Sequence, residues 1–277
     1  MSEQVWFITG SSRGLGRSVA EEALAAGHRV VATARRTEAL DDLAARYGDR
    51  VLAVELDVTD PAQAQAAVDT AVRAFGRIDI VVNNAGYADI APIEEVTLDA
   101  FRAQVDACFY GTVHVTKAVL PVFRKQNSGY FIQVTSIGGR LTAPGLGAYQ
   151  AAKHAVEGFS GVLHKEVSPL GIRVTLAEPG GMRTDWAGSS MEIPSFDPAY
   201  EPTVGAQAKH LRSWTGTEPI APAKVARVFL DLADNPEPPL HLVLGGHAVD
   251  YIAKATEQQA AEDAKWAEIG RCVDFTG

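Results

Sequence analysis

The chain has 277 residues, 47% of them hydrophobic and 21% charged, with a formal net charge of −9. That length holds one large α/β domain or two small ones, and the composition is that of a globular protein with a sizeable core. The acidic balance repels phosphate backbones and argues against nucleic-acid binding. The two cysteines, Cys108 and Cys272, show no zinc-ligand spacing, so no metal is expected.

The first half alternates in period. "VWFIT" (Val5–Thr9) is a continuous apolar run rich in β-formers, and it ends at Gly10. Apolar residues then fall at Leu15, Val19, Ala20, Ala23 and Leu24, which is helical spacing, and Gly27 stops it. Strands are predicted at Arg29–Ala34 and Val51–Leu56, with a helix over Thr37–Tyr47 between them. Asp60-Pro61 starts a helix running to Phe75, with proline at a tolerated first-turn position. A fourth strand is predicted at Ile78–Asn84, and a long helix over Leu98–Phe123. Tyr130–Thr135 reads as a strand, Gly147–Val167 as a helix and Ile172–Ala177 as a strand.

Residues 186–221 break the rhythm with prolines and scattered aromatics, among them Trp186, Phe196, Tyr200 and Trp214. Insertions of that length are often lids. A helix near Pro222–Ala233, a strand near Leu240–Leu244 and an amphipathic helix to about Ile269 complete the chain. Runs without alternation suit strands buried on both faces, and strand–helix–strand order suits a parallel sheet covered on both sides. The expected fold is a doubly wound α/β Rossmann fold with a seven-stranded parallel sheet, as one domain over 1–277. Only Met1 to Gln4 precede the first strand and no run of 18 apolar residues occurs. No signal peptide, no membrane association and a cytoplasmic location are therefore expected.

"TGSSRGLG" joins the first strand to the first helix, with glycines at Gly10, Gly14 and Gly16. Glycine permits a sharp turn and close approach of a ligand, and the helix N-terminus behind it suits a pyrophosphate. Farther on come "NNAG" (Asn83–Gly86), Ser136 just past the fifth strand, Tyr149 thirteen residues later, Lys153, and "PGGMRT" (Pro179–Thr184). In order and spacing these five motifs resemble the short-chain dehydrogenase/reductase family, in its TGxxxGxG and YxxxK form, over roughly residues 4–250.

The resemblance implies that Gly10, Ser12, Arg13, Gly14, Leu15 and Gly16 line a nicotinamide dinucleotide. It places Asp57 and Val58 at the adenine, and Asn84, Ala85 and Gly86 at the ribose. Pro179, Gly180 and Thr184 fall near the nicotinamide. Asn83 is read instead as a tie between strands. The second strand ends "ATARR", so Ala34 stands where NAD enzymes carry a carboxylate. Arg35 and Arg13 suit the 2′-phosphate of NADP better than they suit NAD, while Arg36 is also explained as a solvated charge at a helix start.

Residues four apart share a helix face, so Tyr149 and Lys153 project together. Reducing a ketone needs a hydride and a proton. A tyrosine beside an ammonium, with Ser136 orienting the substrate oxygen, is the implied general acid/base device. The nearby ammonium is expected to lower the phenol's pKa from its ordinary value of about 10. Many family members carry an asparagine where "VDACFYG" (Val105–Gly111) places Cys108. Three readings stay open: backbone alone holds the relay water, the relay is impaired, or Asp106 takes part in a shifted alignment. A hydrolase is disfavoured, because "VTSIG" around Ser136 lacks the first glycine of Gly-x-Ser-x-Gly. The remaining alternative is a non-catalytic NADP-binding regulatory or scaffold protein.

Resemblance to NADP-dependent ketosteroid-type and lipophilic-carbonyl reductases implies a ketone or secondary alcohol with an apolar body. It also implies a homodimer or homotetramer through the helices at Leu98–Phe123 and Gly147–Val167.

Overall fold

The computed structural model describes residues 3–188 and 190–275. Seven strands form one sheet: β1 (Val5–Ile8), β2 (Arg29–Ala34), β3 (Val51–Glu55), β4 (Ile80–Asn83), β5 (Gly129–Val134), β6 (Ile172–Pro179) and β7 (His241–Leu244). Their order is β3-β2-β1-β4-β5-β6-β7 and every pairing is parallel. β1 is therefore the switch point: β2 pairs on one side with Phe7 opposite Val31, and β4 on the other with Phe7 opposite Val81. Ligands of open α/β sheets bind beyond the strand C-termini at such a point.

Helices cover both faces because each strand is apolar on both. Trp6 and Ile8 pack with α1 (Gly14–Ala25), α2 (Asp41–Tyr47) and α8 (Pro222–Asp234), through Val19, Leu43 and Phe229. Their neighbours Val5 and Phe7 point the other way, toward α3 (Pro61–Phe75), α5 (Gly111–Gln126) and α6 (Gly147–Val167), through Val68, Phe123 and Leu163. Alternate side chains thus feed two cores, each large residue contributing about 1.5–3 kcal/mol of burial. At Gly129 the contact is so close that an added Cβ would lie 2.1 Å from the Phe123 ring.

The helix predicted over Thr37–Tyr47 begins as a 3-10 turn at Thr37–Leu40 ahead of α2, and two further elements differ from the sequence expectation. The long helix predicted over Leu98–Phe123 is α4 (Leu98–Val105), a π-helical turn at Asp106–Tyr110, and α5. The insertion at 186–221 is also less irregular than expected. It holds short turns and the helix α7 (Ala206–Trp214), and a parallel bridge between Met182 and Ile220 closes its base. α9 (Gly246–Arg271) ends the fold. No helix among the described residues is long and apolar enough to cross a membrane.

Candidate active site

The glycine turn sits at the C-terminal end of β1. Gly10 (φ 68°) and Gly14 (φ 58°) are left-handed, a conformation that L side chains rarely adopt. Gly16 is required for another reason: a Cβ there would stand 2.3 Å from the Gly10 carbonyl and 2.6 Å from the Asn84 amide nitrogen. Arg13 is the N-cap of α1 and donates no side-chain cap, and no acidic residue occupies the first turn. The N–H groups of that turn therefore remain free for an anion, and the residues present fit a dinucleotide pyrophosphate. Leu15 is buried in the core, Ser12 is partly exposed, and Arg13, Arg35 and Arg36 are exposed. Ala34 is buried at the end of β2, with no carboxylate at that position.

Asp57 and Val58 follow β3. An oxygen of Asp57 accepts from the Thr59 backbone N–H (3.0 Å) and hydroxyl (2.8 Å), which fixes the carboxylate at the pocket edge. Val58 is buried against the start of α5.

After β4 the two asparagines divide the work. Asn83 is buried and donates to Gln133 (2.8 Å) on β5 and to Thr116 (3.2 Å) on α5. It ties neighbouring elements together. The Asn84 side chain donates to the backbone carbonyls of Thr9 (2.9 Å) and Gly10 (3.3 Å), so it braces the glycine turn. Ala85 follows it and its N–H donates to the Thr9 hydroxyl (3.0 Å), while Gly86 is exposed. Thr9 is the hub of this bracing, since its hydroxyl also accepts from Asn84 N–H (2.9 Å). Nothing local in the sequence marks Thr9, because its partners lie 75 and 76 residues away.

Thr184 caps the short turn at Asp185–Ala187, accepting from Trp186 N–H (3.2 Å), and its methyl lies 3.5 Å from where a Cβ on Gly14 would be. The turns after β1 and β6 therefore face one another. Pro179 ends β6, and Gly180 donates to the Leu244 carbonyl (3.1 Å) of β7. A Cβ on Gly180 would meet the His247 ring at 2.4 Å.

Ser136 follows β5, accepts from Gly138 N–H (3.0 Å) and makes only a long 3.5 Å contact to the Pro179 carbonyl. Tyr149 and Lys153, on the first turns of α6, are both buried. The Lys153 ammonium lies 5.7 Å from the Tyr149 ring centroid and donates to the Val134 carbonyl (2.8 Å). On its other side the Tyr149 ring meets Trp186 of the insertion, centroids 5.3 Å apart.

Burial dominates the electrostatics. It raises the Tyr149 phenol well above its ordinary value, Cys108 adds to the rise, and the nearby Ser136 hydroxyl opposes it. Burial lowers Lys153, opposed by Cys108 and Glu157. The expected depression of the phenol by its lysine does not appear: desolvation outweighs a charge held 5.7 Å away at the ring face.

The π turn places Cys108 here. Its thiol is buried and donates to the Tyr87 carbonyl (3.2 Å). A Cβ on Gly86 would meet Cys108 Sγ at 3.3 Å and Lys153 Nζ at 3.8 Å, so the thiol and the ammonium converge on one point. Asp106 is exposed, whereas Cys108 is buried beside Lys153, which weighs against the shifted-alignment reading. Burial raises the Cys108 pKa, so the group beside Lys153 is a neutral thiol.

A family model described as short chain dehydrogenase matches residues 4–193. The oxidoreductase BOA17 of Botryotinia fuckeliana is 52% identical over 267 residues, which are 96% of this chain and 97% of that protein. A 3-ketodihydrosphingosine reductase of Bacteroides thetaiotaomicron is 36% identical over 184 residues, 66% of either chain. The crystal structure of a short-chain dehydrogenase from Streptomyces avermitilis superposes with a TM-score of 0.93 at 39% identity, covering 99% of this chain and 100% of that one. Among solved structures of the same fold some hold NAD and others NADP+. With its glycine cradle, its parallel sheet and its buried Tyr149–Lys153 pair, the chain belongs to the short-chain dehydrogenase family of oxidoreductases.

Proposed function

We propose that the protein transfers a hydride between NADP(H) and a ketone or secondary alcohol of a small lipophilic molecule, with Tyr149 as the general acid/base. The observation that carries this reading is the convergence of Ser136, Tyr149 and Lys153 beneath Trp186. The nicotinamide supplies or accepts the hydride. Tyr149 stays protonated through neutral pH because burial raises its pKa, so in reduction its O–H is the proton donor to the carbonyl oxygen. Ser136 has its N–H-facing lone pair occupied by Gly138, which leaves its own O–H to orient that oxygen. Lys153, pinned by the Val134 carbonyl, offers its remaining N–H groups to the ribose side of the cleft.

The glycine turn takes the pyrophosphate, with Asp57 and Val58 at the adenine end. Arg13 and Arg35 supply two exposed cations beside a strand end without a carboxylate, which suits a 2′-phosphate.

The insertion acts as the substrate lid of a single domain. Ile90 donates its N–H to Glu192 (2.9 Å) and Asp197 N–H donates to Glu95 (2.9 Å), holding it over the site. Its Ala187, Met191 and Val204 cluster with Ile90, Leu146 and Tyr149, an apolar surface for an apolar substrate. The reductase relative acts on a ketone with a lipid body, in keeping with that surface. Leu98, Tyr110 and Val162 are exposed apolar groups on the α4–α5 and α6 surfaces, which suits pairing with further copies of the chain.

The test is a panel of aliphatic ketones, quinones and steroids, read by NADPH and NADH oxidation. Tyr149→Phe should lower kcat by roughly 10²–10⁴-fold while the protein stays folded. Full activity in that variant, or a clear preference for NADH, overturns the corresponding part of the reading.

A further inference from the structure

Glu157, Glu178 and His241 meet on the sheet face covered by α6, one helical turn beyond Lys153. Glu178 is the penultimate residue of β6 and is fully buried. His241 opens β7, and its side chain is 47% exposed. One donor atom from each lies within 4.8 Å of the others. His241 Nδ1 is 2.8 Å from Glu178 Oε1 and 3.4 Å from Glu157 Oε2.

The cluster is short of positive charge and of hydrogen-bond donors. Arg140 pairs with Glu178 Oε2 (3.1 Å), leaving Oε1 turned to the imidazole. Both oxygens of Glu157 are buried, with the Thr135 hydroxyl beside them and no charged partner other than His241 within salt-bridge distance among the described residues. Two buried carboxylates this close repel. The one His241 nitrogen that faces the carboxylates lies within hydrogen-bond distance of Glu178 and at 3.4 Å from Glu157. A divalent cation answers the whole deficit, because it neutralises both carboxylates and bonds to each.

The spacing suits that occupant. Metal–ligand bonds of about 2.0–2.2 Å at tetrahedral angles put neighbouring donors roughly 3.4 Å apart, close to the separations His241 makes. One imidazole and two carboxylates form the donor set of a borderline transition ion. The half-exposed His241 gives a route in from solvent and leaves a fourth position for water.

We propose that Glu157, Glu178 and His241 bind one divalent transition metal ion of the zinc class, tying α6 to the β6–β7 edge behind Lys153. Arg140 and Thr135 then support the carboxylates from outside. The ligands lie 21 and 63 residues apart in the chain, so no local motif announces them.

The full-length protein, stripped with EDTA, is titrated with ZnCl₂ by calorimetry and by thermal melting, with MgCl₂ in parallel. We expect one saturable zinc per chain. At a hundredfold excess over Kd the Tm should rise by roughly 5 °C. Glu157→Gln and His241→Gln should each abolish both signals. The proposal is overturned if the wild type shows no saturable site. It is also overturned if both variants bind as the wild type does, which would put the ion on surface histidines or Cys272. Should a variant fail to fold, Co²⁺ serves as an optical probe in the wild type. A visible tetrahedral band displaced by one equivalent of Zn²⁺ upholds the site, and its absence overturns it.

Discussion

At the scale of single residues, the unusual feature is a thiol at the side of the lysine. Cys108 spends its S–H on the Tyr87 carbonyl, and burial keeps it neutral, so it neither carries charge nor offers a strong acceptor. We propose that water beside Lys153 is held by backbone carbonyls, so that an amide in place of the thiol adds little. Cys108→Asn should leave kcat within about threefold of the parent, less than 1 kcal/mol of barrier. The larger side chain, in a buried position packed beside Gly86, should lower the Tm. A large rise in turnover would show that the thiol limits the relay. Arg35 is the second residue with a measurable share. Arg35→Ala should raise KM for NADPH by roughly tenfold, the worth of one charged hydrogen bond, and leave KM for NADH unchanged. Ser136, Tyr149 and Lys153 were legible because their spacing is local and their chemistry specific. The bracing by Thr9 and Gln133 was not, because it joins atoms far apart in the chain.

Among the elements, the strands were legible because both faces are buried and the runs are continuously apolar. Each of the seven lies within two residues of its predicted position. The π turn at Asp106–Tyr110 was hidden, since one extra residue in a helix shifts the apolar stripe without interrupting it. α7 was hidden for a different reason: "AQAKHLRSW" is mostly polar, with Ala208 its one buried residue and Leu211 packed beside it. The helix is held instead by Arg212, which donates to the carbonyls of Ala187, Gly188 and Met191. The β5–α5 contact shows how tightly the layers meet. Gly129→Ala should cost about 1–3 kcal/mol, because Phe123 must leave its position, and calorimetry should record a lower Tm with the active site still competent. An unchanged Tm would mean that the α5 layer yields more easily than its packing implies.

At the scale of the whole molecule, stability should depend on pH through Glu157. Its folded pKa is about 7, raised mainly by burial, against an ordinary value of 4.5. Below the lower value both states hold the proton and nothing is lost. As pH rises through the higher value the folded state must give up a proton that the unfolded state has already released, so stability falls. In EDTA the wild-type Tm should therefore drop between pH 5 and pH 8, and Glu157→Gln should flatten the slope. Equal slopes would assign the pH dependence elsewhere.

The sheet order carries one more consequence, for the chain as it is made. β1 sits between β2 and β4, and β4 begins at Ile80. At synthesis rates of roughly 5–20 residues per second, the N-terminal strand waits several seconds with one side unpaired. Its "VWFI" is apolar on both faces and fully buried once folded. During that interval the nascent chain carries an adhesive ribbon near its N-terminus, and a chain terminated before Ile80 carries it permanently.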